Sequence, residues 1–227
     1  MNKAIVAVCV MYGKDVDVVM PNRSIPNMIG RSIAFTDCTD MYMDEVRPLA
    51  ERFGLYGAYM ESKSNLDGKK LKKYSMLLQG HSLGEVEGMM TAEPFEGARG
   101  VIHALKNSGY EVHVISDNPL LTLPGASKKL YQLGIGYIHP TIKLDVRNGC
   151  FTGYLDSYRP KEEIVMEVVR KMQPDRIIGI GHANNDRDML EIVKDLEGTT
   201  IAIGKELEAD HNVNDLDELA RLIPMLP

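Results

Sequence analysis

The sequence predicts an α/β protein: a parallel sheet with helices on both faces, interrupted early by a helical insertion. Three observations predict it. Runs rich in Val and Ile recur along the 227 residues, and amphipathic stretches separate them, the alternation a helix-covered parallel sheet requires. Residues 37–110 contain no convincing β run but show helical spacing, and they are too long for a simple crossover between strands. The length suits one domain carrying an insertion, and such a chain buries about 70% of the surface it exposes when unfolded, so neither disulfide nor metal is needed as a staple.

Lys3 to Met11 and residues 16–20 read as strands, with Gly13 and Asp15 able to turn them into a hairpin. Residues 1–31 are therefore expected to form an N-terminal β extension. The opening run lacks a small-residue cleavage site and is broken by Gly13-Lys14-Asp15, so it reads as a buried strand and not as a signal peptide. The core proper is expected over 32–40 and 93–227, beginning with a strand at 32–36. A helical cap is expected over 41–92, with apolar spacing at Met43, Val46, Leu49, Ala50 and Phe53 and again over 69–79. A helix from Pro94 to Asn107 returns the chain to a strand at 111–116. Lys128 to Leu133 reads as a helix stopped by Gly134. The turn residues Asn148-Gly149, between Tyr137–Val146 and Phe151–Tyr154, predict a hairpin. A helix over Lys161–Met172, strands at 176–181 and 199–203, and a last helix over Asp215–Leu222 complete the chain.

Composition excludes several functions. Lys and Arg number 26 against 32 Asp and Glu, a net charge of −6, so nothing favours a phosphate backbone and no nucleic-acid partner is expected. The cluster Lys69-Lys70-Leu71-Lys72-Lys73 reads as a solvated helix face. No apolar run reaches the ~18 residues of a spanning helix, so no membrane partner is expected. Three cysteines, Cys9, Cys38 and Cys150, stand far apart with no CxxC pair, which suits a reducing cytoplasm.

In an open parallel sheet ligands bind beyond the carboxyl ends of the strands, and three of those ends are polar. The first run stops at Thr36-Asp37-Cys38-Thr39, the second at Ser116-Asp117-Asn118, and the third at Gly181-His182-Ala183-Asn184-Asn185-Asp186. Lys161 adds a cation at the first turn of the helix before the third strand. His182 and Asp186 stand four apart, a spacing that puts two ligands on one face where the turn is helical.

In this order these residues resemble the haloacid dehalogenase (HAD) superfamily, within it the phosphoserine-phosphatase-like branch, over roughly residues 32–211. Leu133-Gly134-Ile135-Gly136-Tyr137, Phe151-Thr152-Gly153-Tyr154, Lys161-Glu162-Glu163 and Gly179 to Leu190 carry the likeness, and Thr36-Asp37-Cys38 also resembles the first motif of an archaeal HAD branch. The resemblance implies a Rossmann-like core with an inserted cap. It also implies an aspartyl-phosphate mechanism. Asp37 becomes the nucleophile, Ser116 and Lys161 the catalytic phosphate donors, and Asp117, Asn118 and Asn185 their neighbours on the phosphate. A divalent metal falls to Asp37, Thr39, His182 and Asp186.

Two departures bear on activity. Thr39 stands at the general-acid position, where a threonine cannot replace a carboxylic acid, a loss of ~100- to 10,000-fold; the same Asp-x-Thr arrangement occurs in HAD pumps. His182 stands where the metal-binding Asp is expected. Magnesium is implied by resemblance, and a transition metal by the imidazole. The register of the first motif has two readings, since a Phe directly before the nucleophile places Thr36 there. Two functions are expected from this: a phosphohydrolase or phosphotransferase with a modified site acting on a small phosphorylated metabolite, or a catalytically silent fold that binds a phosphorylated ligand or a protein partner. A homo-oligomer is compatible with both.

Overall fold

The computed structural model describes residues 31–37, 42, 51, 75–76, 78–88 and 93–226. The expected N-terminal extension apart from Arg31, the helix over 42–53 apart from Tyr42 and Glu51, residues 69–74 and 77 of the stretch over 69–79, and Thr39 lie outside the described residues.

A six-stranded sheet in the order β3-β2-β1-β6-β7-β8 forms the centre, every pairing in it parallel. Its strands are β1 (Ser32–Thr36), β2 (Tyr110–Ser116), β3 (Tyr137–Pro140), β6 (Arg176–Gly181), β7 (Thr199–Ile203) and β8 (His211–Val213). The two remaining strands, β4 (Ile142–Arg147) and β5 (Cys150–Tyr158), form an antiparallel hairpin of their own. Among the described residues the α-helices are α1 (Leu83–Gly88), α2 (Ala98–Asn107), α3 (Pro124–Leu133), α4 (Lys161–Met172), α5 (Arg187–Asp195) and α6 (Leu216–Leu222).

Each residue of β1 is buried, as a central strand covered on both faces must be. Successive side chains point to opposite faces. Ala34 joins a core with Val101 and Leu105 of α2, Leu130 of α3 and Leu219 of α6. Ile33 and Phe35 join a second core with Ile164 and Val165 of α4 and Met189, Leu190 and Val193 of α5. Full burial of each such side chain contributes about 1.5–3 kcal/mol. Those two cores clamp β1, the strand that leads into the site.

The structure refines several expectations. Helix α3 begins at Pro124, four residues before the predicted Lys128, because proline suits the first turn, where its missing N–H has no partner to lose. The run 137–146 divides at Thr141. β3 joins the main sheet at its edge, where Pro140 is tolerated as a terminal residue, and β4 turns away into the hairpin. β8 was not predicted; of its three residues only Val213 is buried, too little pattern to read. The hairpin turn is as expected: Asn148 and Gly149 both take positive φ, 52° and 77°, the pair of values a two-residue turn of matching twist demands. Residues 80–83 lie along this hairpin, with Gly80 N donating to Phe151 O and Phe151 N to His81 O.

Candidate active site

Strand β1 lies between β2 and β6, and the chain proceeds outward on one side to β3 and on the other to β7 and β8. Such a reversal opens a crevice at the carboxyl ends of the strands. Asp37 follows β1, Asp117 follows β2 and His182 follows β6. Lys161, the first residue of α4, is buried with its ammonium among them.

That ammonium is the hub. Lys161 Nζ lies 2.5 Å from Asp186 Oδ1, 3.2 Å from Asp37 Oδ1 and 3.7 Å from Asp117 Oδ2. Burial alone drives a lysine toward the neutral form, but Asp186, Asp37 and Asp117 outweigh it and hold Lys161 well above its ordinary range. Asp186 is fully buried, a cost offset by Lys161 and by His182, so its carboxyl sits below the ordinary range. Asp37 differs. Burial pushes its carboxyl up to about 6, only partly opposed by Lys161, because the nearby Asp186 repels its charge.

Glycine admits Asp186 to this position. A Cβ on Gly181 would lie 2.6 Å from Asp186 Cβ, closer than two carbons can approach. The chain then makes a short 3-10 turn at Asn184–Asp186, and the N–H groups of His182 and Ala183 donate to Asp186 Oδ2 at 2.9 and 3.2 Å. His182 Nδ1 comes to 3.3 Å from the same oxygen and 3.6 Å from Asp37 Oδ2.

Asp117 ties the walls together. It accepts from Asn185 Nδ2 at 2.7 Å and from Thr141 Oγ1. Thr141 was not singled out in the sequence; it lies at the break between β3 and β4, where its N–H also donates to Ser116 O, and a hydroxyl at a strand junction carries no separate signal. Ser116 is buried, its Oγ accepting from Asn118 N at 3.3 Å. Asn118 Oδ1 accepts from Leu120 N, capping the turn that follows. The Thr36 hydroxyl is buried without a hydrogen-bond partner among the described residues, so it is Asp37, and not residue 36, whose side chain meets Lys161.

Asp37, His182 and Asp186 offer ligand atoms that all lie within 4.8 Å of one another. Three carboxylates, with Asp117, face one ammonium, so the donor set fits a divalent cation in charge. It departs from what magnesium prefers in one donor, the imidazole nitrogen.

Solved structures share this arrangement of elements. A phosphoserine phosphatase captured as a phospho-aspartyl intermediate analogue matches with a TM-score of 0.69 at 22% identity, over 85% of this chain and 98% of that one. A HAD family hydrolase from Salmonella enterica serovar Typhi matches with a TM-score of 0.67 at 15% identity, over 82% of this chain and 68% of that one. The chain has the HAD fold. In sequence, a phosphoserine phosphatase of Archaeoglobus fulgidus is 30% identical over 102 residues, and that match spans 42% of this chain and 28% of the relative. No family model matches the sequence. The HAD fold agrees with the predicted parallel core and with polar groups at the ends of β1, β2 and β6. Among the described residues no helix is long and apolar enough to cross a membrane.

Proposed function

We propose that this chain transfers the phosphoryl group of a small phosphorylated molecule through an aspartyl-phosphate on Asp37, releasing it to water or to a second acceptor. The observation that carries this reading is a buried carboxylate, Asp37, 3.2 Å from a buried ammonium, Lys161, at the carboxyl end of the central strand. The similarity to a phospho-aspartyl phosphatase structure supports it.

The ionised Asp37 carboxylate attacks phosphorus while the P–O bond to the leaving alkoxide breaks, and the alkoxide takes its proton from solvent water, since Thr39 cannot act as a carboxylic acid. Water then attacks the phosphorus of the aspartyl-phosphate, releasing inorganic phosphate and restoring Asp37. Negative charge is spread over the equatorial oxygens throughout, and preorganised donors lower that barrier. In this reading the donors are Lys161 and the Ser116 hydroxyl, in the roles the resemblance implies for them. A divalent cation held by Asp37, Asp186 and His182 would offset further charge on those oxygens. Asp117, fixed by Thr141 and Asn185, holds the lysine side of the crevice. Thr39 fills the general-acid position with a weaker group, so slow turnover is expected. Choice among phosphorylated molecules falls to the expected cap over 41–92.

A second reading, a silent site that binds a phosphorylated ligand or protein partner, is favoured by one feature of the sequence: by its resemblance to the HAD motifs, His182 stands where a metal-binding carboxylate is expected. Turnover of p-nitrophenyl phosphate across magnesium, manganese, cobalt and zinc separates the two. Turnover that falls at least ~100-fold in Asp37→Asn supports the phosphoryl-transfer reading. Its absence with every metal, alongside a rise in Tm with inorganic phosphate, supports the silent one.

A further inference from the structure

The carboxylates of Asp37 and Asp186 stand side by side and use their two edges differently. Along one edge Lys161 Nζ meets both Oδ1 atoms, at 3.2 and 2.5 Å. Along the other, His182 Nδ1 meets both Oδ2 atoms, at 3.6 and 3.3 Å. One edge is thus occupied by an ammonium, while the second is bounded by two oxygens and a nitrogen.

His182 Nδ1 stands from Asp186 Oδ2 at a ligand-shell spacing and from Asp37 Oδ2 slightly beyond one, and one ligand atom from each of the three residues falls within 4.8 Å of the others. With bonds of about 2.0–2.2 Å to nitrogen and oxygen, neighbouring ligands of a tetrahedral or octahedral ion stand about 3.0–3.5 Å apart. The ligands are also held in advance. Asp186 is fully buried, its Oδ2 oriented by the N–H groups of His182 and Ala183 and its Oδ1 by Lys161. Asp37 is 3% exposed, and its Oδ1 accepts no aligned hydrogen bond among the described residues. The His182 side chain is 19% exposed, so it is the least buried of the three ligands.

Magnesium demands hard oxygens, whereas imidazole suits zinc and its first-row neighbours. We propose that Asp37, Asp186 and His182 form a mixed nitrogen–oxygen centre that selects a first-row transition metal of the zinc and cobalt type over magnesium. The proposal deepens the phosphoryl-transfer reading, resting on it only for the place of Asp37 in the site.

The test is metal binding by the purified full chain, stripped with a chelator and titrated with cobalt(II), with circular dichroism as the check on folding. One equivalent of cobalt should bind with a visible ligand-field band, be displaced by zinc, and resist a large excess of magnesium. His182→Ala and His182→Asn should weaken cobalt at least ~10-fold, the loss that follows even an outer-shell change, and alter the band. His182→Asp, an all-oxygen set, should let magnesium compete. Cobalt bound with the same affinity and spectrum in wild type and His182→Ala overturns the proposal. So does a folded wild-type chain that binds no cobalt, the result expected where His182 is itself the second cation. Cobalt binding through His182 without turnover of any phosphate ester sinks the phosphoryl-transfer reading and leaves this one standing. Magnesium-dependent turnover indifferent to His182→Ala does the reverse.

Discussion

Gly181 decides whether the site can exist. A Cβ there would lie 2.6 Å from Asp186 Cβ, so Gly181→Ala must either push the carboxylate off Lys161 or bend the strand. Overpacking of this kind costs about 1–3 kcal/mol, and urea unfolding of the variant should show that loss. Lys161 is the second residue on which the geometry turns. Lys161→Met keeps much of the side-chain volume but leaves Asp37, Asp186 and Asp117 without their shared ammonium. Removing one partner of a buried ion pair costs about 3–5 kcal/mol; a loss below about 1 kcal/mol on the same measurement would mean that the carboxylates do not depend on Lys161.

At the scale of elements, the β4–β5 hairpin links the core to the segment before α1. Ser75 Oγ donates to Gly153 O at 2.7 Å, and Leu83 N to Gly149 O at 2.9 Å. Gly149→Ala places a Cβ on a residue at φ 77°, a left-handed conformation that costs an L side chain about 1–2 kcal/mol. Its Tm should fall by several degrees while cobalt binding to the distant site stays unchanged; loss of metal as well would show that the hairpin holds the site. This turn was legible in the sequence because Asn-Gly encodes it locally. Strand β6 and helix α4 were legible too, Ile177-Ile178-Gly179-Ile180 by its continuous apolar character and α4 by its 3.6-residue spacing. β8 and the break at Thr141 were not, since both are set by pairing with distant chain. In the site, the residue types at the strand ends could be read. The shared ammonium and the two-edged use of Asp37 and Asp186 could not, because they depend on the start of α4 and the 182–186 turn meeting at the carboxyl end of the sheet.

For the molecule as a whole, the second core carries a polar feature that ties stability to pH. His113 of β2 is buried against the Phe35 ring and stacked on Tyr137, with its Nδ1 3.1 Å from His139 Nε2. One imidazole donates to the other, and burial keeps both rings neutral at pH 7. Burial, then the partner ring and Arg31, lower His113 to about 3. Burial also lowers His139, to about 4, with Glu167 opposing and Arg159 assisting. A histidine whose folded pKa lies below its unfolded value near 6.5 favours the native state while both states are neutral, and that stability is lost as pH falls below 6.5 because only the unfolded chain takes up the proton. Between pH 7 and pH 5 the loss is about 2 kcal/mol for each imidazole, at 1.36 kcal/mol per pH unit. Asp37 acts in the opposite direction, since its raised carboxyl pKa lets the native state gain a proton first, so the wild-type slope alone is ambiguous. The difference between two proteins is not. His113→Phe keeps an aromatic ring between Phe35 and Tyr137 but cannot be protonated. Asp37 titrates alike in both, and so does His139, whose lowered pKa comes from its own burial, opposed by Glu167 and assisted by Arg159, and not from His113. Urea unfolding at pH 7 and pH 5 should therefore show the wild type losing about 2 kcal/mol more than the variant, whereas equal losses would mean that His113 is not held neutral by its surroundings.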